Sequence, residues 1–148
     1  KKQSLDLELP DESLPTITAD PRGLESIFGN LISNAVNYTQ EGGRIEVSVG
    51  KEGNRIVTRV ADNGFGIEEK HQKKIFDRFF RVKNAKTRYI TGTGLGLPIV
   101  KNLVDSMNGS ITLESRPDVG TTFTVALPIE KVEAVECAEP VRTEASSA

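Results

Sequence analysis

Apolar and polar residues alternate near the start of the chain, where Leu5, Leu7 and Leu9 are separated by Asp6 and Glu8. A period of two sends successive side chains to opposite faces, so residues 4–9 are predicted to form a half-buried strand. The period then changes. Asp20-Pro21 supplies an N-cap carboxylate followed by proline at the first helical position. Leu24, Ile27, Phe28, Leu31, Ile32 and Ala35 follow at helical spacing, which predicts an amphipathic helix to about Tyr38. Gly42-Gly43 breaks the chain, and residues 44–50 and 55–61 read as two strands with a hairpin turn over 51–54.

In the second half, residues 68–79 are predicted to form a short charged helix, and residues 82–94, with no period, a long loop of the kind that usually has a function. Leu95, Ile99, Val100, Leu103, Val104 and Met107 make a second apolar helix face, ended by Asn108-Gly109. Pro98 falls in its first turn, where the missing N–H costs no intrahelical bond. Strands over 110–115 and 121–127, joined through Pro117 and Gly120, close a single domain over residues 1–128. Residues 129–148, rich in Glu, Ala and Ser, are expected to be a disordered acidic tail. Helices and strands mix without βαβ regularity. The expected class is therefore α+β, a two-layer sandwich with helices on one face of a mixed, mostly antiparallel sheet.

Composition narrows the function classes. With 36% hydrophobic and 27% charged residues, the 148-residue chain is globular, and no apolar run approaches a membrane span of about eighteen residues. Direct membrane insertion is not expected. The single Cys137 cannot form an internal disulfide, which fits a reducing cytoplasm. The net charge of −2 is unevenly spread: five Glu against Lys131 and Arg142 give −3 in residues 129–148, leaving +1 for the rest. Residues 70–91 carry Lys70, Lys73, Lys74, Arg78, Arg81, Lys83, Lys86 and Arg88 against Asp77 alone. Such a run is ordinary for a solvated face, and it also suits a segment facing polyphosphate.

Three further segments carry candidate chemistry. Asn30 and Asn34 lie four apart on one helical face, and their amide oxygens are hard ligands suited to a Mg²⁺ that bridges phosphates. Asp62-Asn63-Gly64-Phe65-Gly66-Ile67 follows a strand directly: its carboxylate can accept from an amino group while its glycines admit a flat ligand. Gly92-Thr93-Gly94-Leu95-Gly96-Leu97 opens the second helix, where exposed N–H groups and the helix dipole favour an anion. Each has an ordinary structural reading: a polar helix edge, a turn, a loop without ligand. The last is no dinucleotide fingerprint, because a long loop and not a strand precedes it.

Taken in order, the three segments resemble the N, G1 and G2 boxes of the histidine-kinase catalytic domain, a Bergerat-fold ATPase. Ile75-Phe76-Asp77-Arg78-Phe79-Phe80-Arg81-Val82 resembles the F box of that family and stands between G1 and G2. The likeness covers roughly residues 4–128, and four boxes in order are a very specific signal. The resemblance implies that the domain binds ATP with Mg²⁺. It implies Mg²⁺ coordination by Asn34, ordering of the phosphate side by Asn30, and contact of Tyr38 with adenine. Asp62 would accept the adenine amino group, Gly64 and Gly66 would floor the base pocket, and Arg81 would reach the phosphates. Gly92, Gly94 and Gly96 would hinge residues 83–95 as an ATP lid, and Ile67, Phe76, Thr93, Leu95 and Leu97 would complete the nucleotide site. Asn37 is placed at the site too, but departs from the pattern, since a basic residue is common there. Lys83, Lys86 or Arg88 are candidates to supply the missing contact.

Gyrase- and chaperone-type relatives of this fold hydrolyse ATP with a glutamate in the first box, where this chain has Asn30. An amide cannot take a proton at neutral pH, so the resemblance favours the kinase branch. There, the γ-phosphate goes to a histidine on a separate dimerisation domain of the same protein and then to a response regulator. No such histidine motif occurs in these residues. His71, the only histidine, is expected to be an ordinary exposed residue. The isolated domain is expected to be monomeric and to bind no nucleic acid, and any membrane anchor would lie upstream. A non-catalytic ATP-binding or partner-docking module is the alternative that Asn37 keeps open.

Overall fold

A computed structural model describes residues 2–11, 13–17, 19–82, 87, 90 and 94–129. The tail expected to be disordered over 129–148, apart from Ile129, falls outside them, as do residues 83–86, 88, 89 and 91–93 of the expected lid, with Gly92, Thr93 and the basic Lys83, Lys86 and Arg88. Among the described residues, five strands and three helices follow one another as β1 (Ser4–Glu8), α1 (Pro21–Asn37), β2 (Arg44–Glu52), β3 (Arg55–Asp62), α2 (Glu69–Gln72), α3 (Gly96–Ser106), β4 (Ser110–Arg116) and β5 (Gly120–Pro128). The strands form one sheet in the order β1-β2-β3-β5-β4. Only β1 and β2 pair in parallel, across α1; every other pair is antiparallel. The sheet is mixed and mostly antiparallel, as expected.

Helix α1 starts as its sequence dictates: the Asp20 side chain accepts from the Arg22 N–H at 3.0 Å and proline occupies the first turn. It buries Ile27, Leu31 and Ala35, and packs on α3, which buries Pro98, Val100 and Val104. Beneath them, Ile45, Val47, Val60, Phe123, Val125 and Leu127 complete the core. Asn108 ends α3 with a positive φ of 60°, a conformation asparagine tolerates better than most residues. The β2–β3 hairpin extends further than expected, to a turn of only Gly53 and Asn54, with Glu52 opposite Arg55.

Two elements differ from expectation. Strand β1 is exposed at all five positions and not half-buried. Leu5 and Leu7 stand in register with the buried Ile45 and Val47, so they continue the core face of the sheet. They nevertheless remain 57% and 62% exposed, because α1 and α3 pack over the β3–β4 side. The charged helix expected over 68–79 is regular only for Glu69–Gln72. Beyond it the chain continues in tight three-residue turns, with N–H groups of Lys74, Asp77 and Phe80 bonded to the carbonyls of His71, Lys74 and Asp77. This path seats Ile75 in the core and carries Phe79 to Gly94, where its N–H meets the glycine carbonyl at 2.9 Å.

Candidate functional site

Above the β3 end, between α1 and the start of α3, the chain encloses a cavity of about 310 Å³. Helix α1 contributes Asn30, Ser33, Asn34, Asn37 and Tyr38 to its wall. Asp62, Gly66 and Ile67 come from the end of β3 and the following loop, Arg81 from the F-box segment, and Gly94, Gly96 and Leu97 from the start of α3. Four sequence segments, spread from Asn30 to Leu97, thus share one cavity. Gly64, Phe76 and Leu95, also expected at the site, are not among its lining residues. Phe76 packs edge-on against Phe123 with ring centroids 6.4 Å apart. Gly64 lies against the α1 end, where a Cβ would come within 2.1 Å of the Tyr38 carbonyl oxygen.

The amides of α1 are not equivalent. Asn30 donates to the Ser26 carbonyl at 2.7 Å, one turn back. Its Oδ1 faces the next helix, since a Cβ on Gly96 would be 3.0 Å from it. Gly96 therefore permits the close approach of α3 to Asn30. Helix α3 has Leu95 at its N-cap, which makes no side-chain cap bond, so no capping side chain of its own competes with an anion for the N–H groups of the first turn. Arg81 donates to the Ile90 carbonyl, which ties the F-box segment to the loop ahead of α3.

Among the described residues, Asp62 is the one acid that lines the cavity. Burial pushes its pKa above the ordinary 3.8, opposed by hydrogen bonds from the backbone N–H groups of Gly64 and Thr121. The Gly64 bond is 2.9 Å long. A raised value means that the folded state holds the proton more tightly than the unfolded chain. The Asp62 contribution to stability is accordingly complete below 3.8 and lost as pH rises through the raised value. The ionised carboxylate is the stronger acceptor for an amine and offers no competing O–H, so ligand binding has the opposite sign. ADP affinity is expected to fall as pH is lowered through the raised value, at a less acid pH than an ordinary aspartate would give, and Asp62→Ala is expected to lose that dependence. Calorimetric titrations across the acid range check both.

Positive φ angles meet at the junction of the F-box segment and α3. Phe79 has φ 66°, an outlier for an aromatic residue, and Gly94 has φ 77°. A Cβ on Gly94 would lie 2.6 Å from Phe79 Cα. Gly94→Ala is therefore expected to destabilise the domain by about 1–3 kcal/mol and to weaken ATP binding. Thermal unfolding and an ATP titration measure the two effects; an unchanged melting temperature would show that the strand of backbone here is free to move aside.

Sequence reasoning missed Thr121 and Phe123 of β5, which line the cavity opposite Asp62 and beneath it. A strand over 121–127 was expected, but its place beside Asp62 depends on the strand register. Phe80 and Thr87 also line the wall. His71 corrects another expectation. It is not an ordinary exposed residue: its side chain is 26% exposed, and its ring lies 5.7 Å from that of Phe80 because α2 is packed against the F-box turn.

The arrangement matches a known family. Residues 19–131 match the model of the histidine kinase-, DNA gyrase B- and HSP90-like ATPases. The chain belongs to that family. It is 42% identical over 128 residues to the sensor-like histidine kinase SenX3 of Mycolicibacterium smegmatis, covering 80% of this chain and 33% of that protein. With the sensor histidine kinase WalK of Bacillus subtilis it shares 40% identity over 125 residues, 83% of this chain and 20% of the relative. The chain thus spans a third or less of these relatives. Among solved structures, the mycobacterial sensor histidine kinase MprB superposes with a TM-score of 0.75 at 26% identity, covering 86% of this chain and 84% of that one. The catalytic domain of histidine kinase ThkA gives 0.73 at 29% identity, over 86% and 81%. The fold is the Bergerat fold of histidine-kinase catalytic domains. Among the described residues, no helix is long and apolar enough to cross a membrane.

Proposed function

We propose that the domain binds Mg²⁺-ATP in this cavity and donates the γ-phosphate to a histidine on a separate dimerisation domain of the same protein, from which a response regulator takes it. The observation that carries the reading is the union, in one cavity, of a half-buried carboxylate and the start of a helix whose N-cap residue makes no side-chain hydrogen bond. The first suits an exocyclic amine and the second a phosphate chain, so together they fit an adenine nucleotide. Tyr38 flanks the base and Arg81 reaches the phosphates after exchanging its Ile90 carbonyl for them. The relatives' identity as sensor histidine kinases supports the same direction of transfer.

No cluster of three or more His, Cys, Asp or Glu suitable for a metal occurs among the described residues. The α1 wall offers neutral oxygens, and Asn30 uses its amide N–H on Ser26, which leaves oxygen as its outward-facing group. Such donors fit Mg²⁺, which keeps several waters and takes its remaining ligands from phosphates. Asn34 would hold it, with Asn30 beside it, and the ion would neutralise charge on the phosphate oxygens. No side chain of this wall is a base, so the chain's own part is to position the nucleotide and exclude water.

The deciding experiment supplies the dimerisation domain of the same protein with γ-labelled ATP and this chain. Acid-labile label on that domain is the expected result. Nucleotide binding without transfer would instead favour the non-catalytic module that Asn37 leaves open. On this reading the domain works in the cytoplasm, as a monomer when isolated, with any membrane anchor upstream.

A further inference from the structure

The loop after β3 is fastened to the β4–β5 hairpin by a set of hydrogen bonds that the phosphate chemistry does not use. Gln72 Nε2, on α2, donates to the Ile67 carbonyl at 2.9 Å and to the Ser115 carbonyl at 3.1 Å. It holds the loop and β4 at the separation that lets the Ile67 N–H reach Ser115 Oγ at 2.8 Å. The same hydroxyl lies 3.0 Å from the Gly120 carbonyl oxygen and 2.8 Å from Thr121 Oγ1. Nearby, the Asp118 N–H meets the Phe65 carbonyl at 2.6 Å, and a Cβ on Gly66 would sit 1.9 Å from the Arg116 carbonyl oxygen. The loop is held on that hairpin at several points.

Counting protons at Ser115 settles their direction. A serine hydroxyl has one proton to give and two lone pairs to offer. One lone pair receives the Ile67 N–H. The Gly120 carbonyl can only accept, so the Ser115 proton goes there. The contact with Thr121 is then made only if Thr121 donates to the second lone pair of Ser115. In the reverse arrangement the Gly120 contact would be lost. Thr121 is nearly buried, lies in register with Asp62, bonds to it through its backbone N–H, and lines the cavity.

We propose that Ser115 is a specificity-determining positioning residue: by taking the hydroxyl proton of Thr121, it leaves Thr121 Oγ1 as an acceptor only beside Asp62. Two neighbouring acceptors placed against the 6-substituent suit the two protons of the adenine amino group and repel the oxygen that a 6-oxopurine carries there. The inference rests on the adenine reading of the cavity, and it adds that the rejection of oxopurines is set from outside the pocket, through β4. Ser115 touches no nucleotide. Its effect is on which base binds, and through Ile67 on how firmly the loop is held.

The test compares ADP with IDP, which carries a carbonyl oxygen where ADP carries the amine, by calorimetry on the whole chain and its variants. Ser115→Ala frees the Thr121 proton to turn toward the base. The ratio of ADP to IDP affinity is expected to fall by about fivefold, the equivalent of one neutral hydrogen bond. Ser115→Thr, which keeps the hydroxyl, is expected to retain the parent ratio, an outcome that lost packing alone would not give. Should Ser115→Ala fail to fold, Ser115→Cys, close in shape but poor in hydrogen bonding, is expected to lower the ratio in the same way. Parallel weakening of both nucleotides with an unchanged ratio overturns the proposal and leaves Ser115 a purely structural clasp. Asp62→Ala separates the two levels. If it too leaves the ratio unchanged, the adenine reading itself fails and this inference with it; if it collapses the ratio while Ser115→Ala does not, only the inference fails.

Discussion

Asp62→Ala is expected to weaken ADP binding by about 10- to 150-fold, the equivalent of losing one hydrogen bond to a charged group. Two backbone N–H groups, from Gly64 and Thr121, hold the carboxylate in place, so it need not be ordered when ligand arrives. Truncation leaves the adenine amine facing a cavity wall with no charged acceptor. Stability is expected to respond differently. Burial disfavours the ionised carboxylate at neutral pH, as the raised pKa records, so removing the charge relieves part of a desolvation cost while leaving two N–H groups to find water. The loss of affinity should therefore come with little loss of melting temperature. That separation distinguishes a binding residue from a structural one. Calorimetric titration alongside thermal unfolding checks it, and an unchanged ADP affinity in a folded variant would remove Asp62 from the site.

The periodic parts of the fold were legible because burial imposes periodicity. The stripe from Leu24 to Ala35 has one use, to cover a sheet, and it does so through Ile27, Leu31 and Ala35. The alternation of Leu5, Leu7 and Leu9 revealed the strand and which side chains share a face. It could not reveal whether anything lies over that face, and among the described residues all five positions of β1 stay exposed. The helix expected over 68–79 was misjudged for a related reason. Glu68 to Lys74 are acceptable in a helix, but Ile75 must enter the core and Phe79 must turn back to Gly94, and those demands outweigh a weak local preference.

Much of the cavity wall was legible too, since Asn34, Asp62, Gly66 and Gly96 sit in short segments with distinctive residues. The glycines were visible as glycines, but not what they face. Gly64 and Gly66 give way to the carbonyls of Tyr38 and Arg116, so their small size serves backbone packing around the loop. Thr121 and Ser115 were missed because their significance is a property of register. Asp62 is opposite Thr121, and Ser115 is opposite Thr121 from the other side. No local pattern contains that information.

The isolated chain is expected to take up no phosphate from ATP on its own histidine. Transfer requires an imidazole nitrogen in line with the γ-phosphate, within a few ångströms. His71 is the only histidine, and it does not line the cavity. Its Nε2 lies 3.7 Å from the Glu68 carboxylate, and its ring lies 5.7 Å from that of Phe80, which itself lines the cavity. The helix cannot swing to present it, because the next residue, Gln72, is bonded to the carbonyls of Ile67 and Ser115. Moving α2 would break the bonds that hold the base pocket, and with them the nucleotide. Incubation with γ-labelled ATP and Mg²⁺, followed by separation under alkaline conditions that preserve phosphohistidine, is expected to leave this chain unlabelled, with His71→Ala indistinguishable from the parent. Acid-labile label on the chain alone, absent from His71→Ala, would show that α2 does leave its place and that the phosphoacceptor has been misassigned.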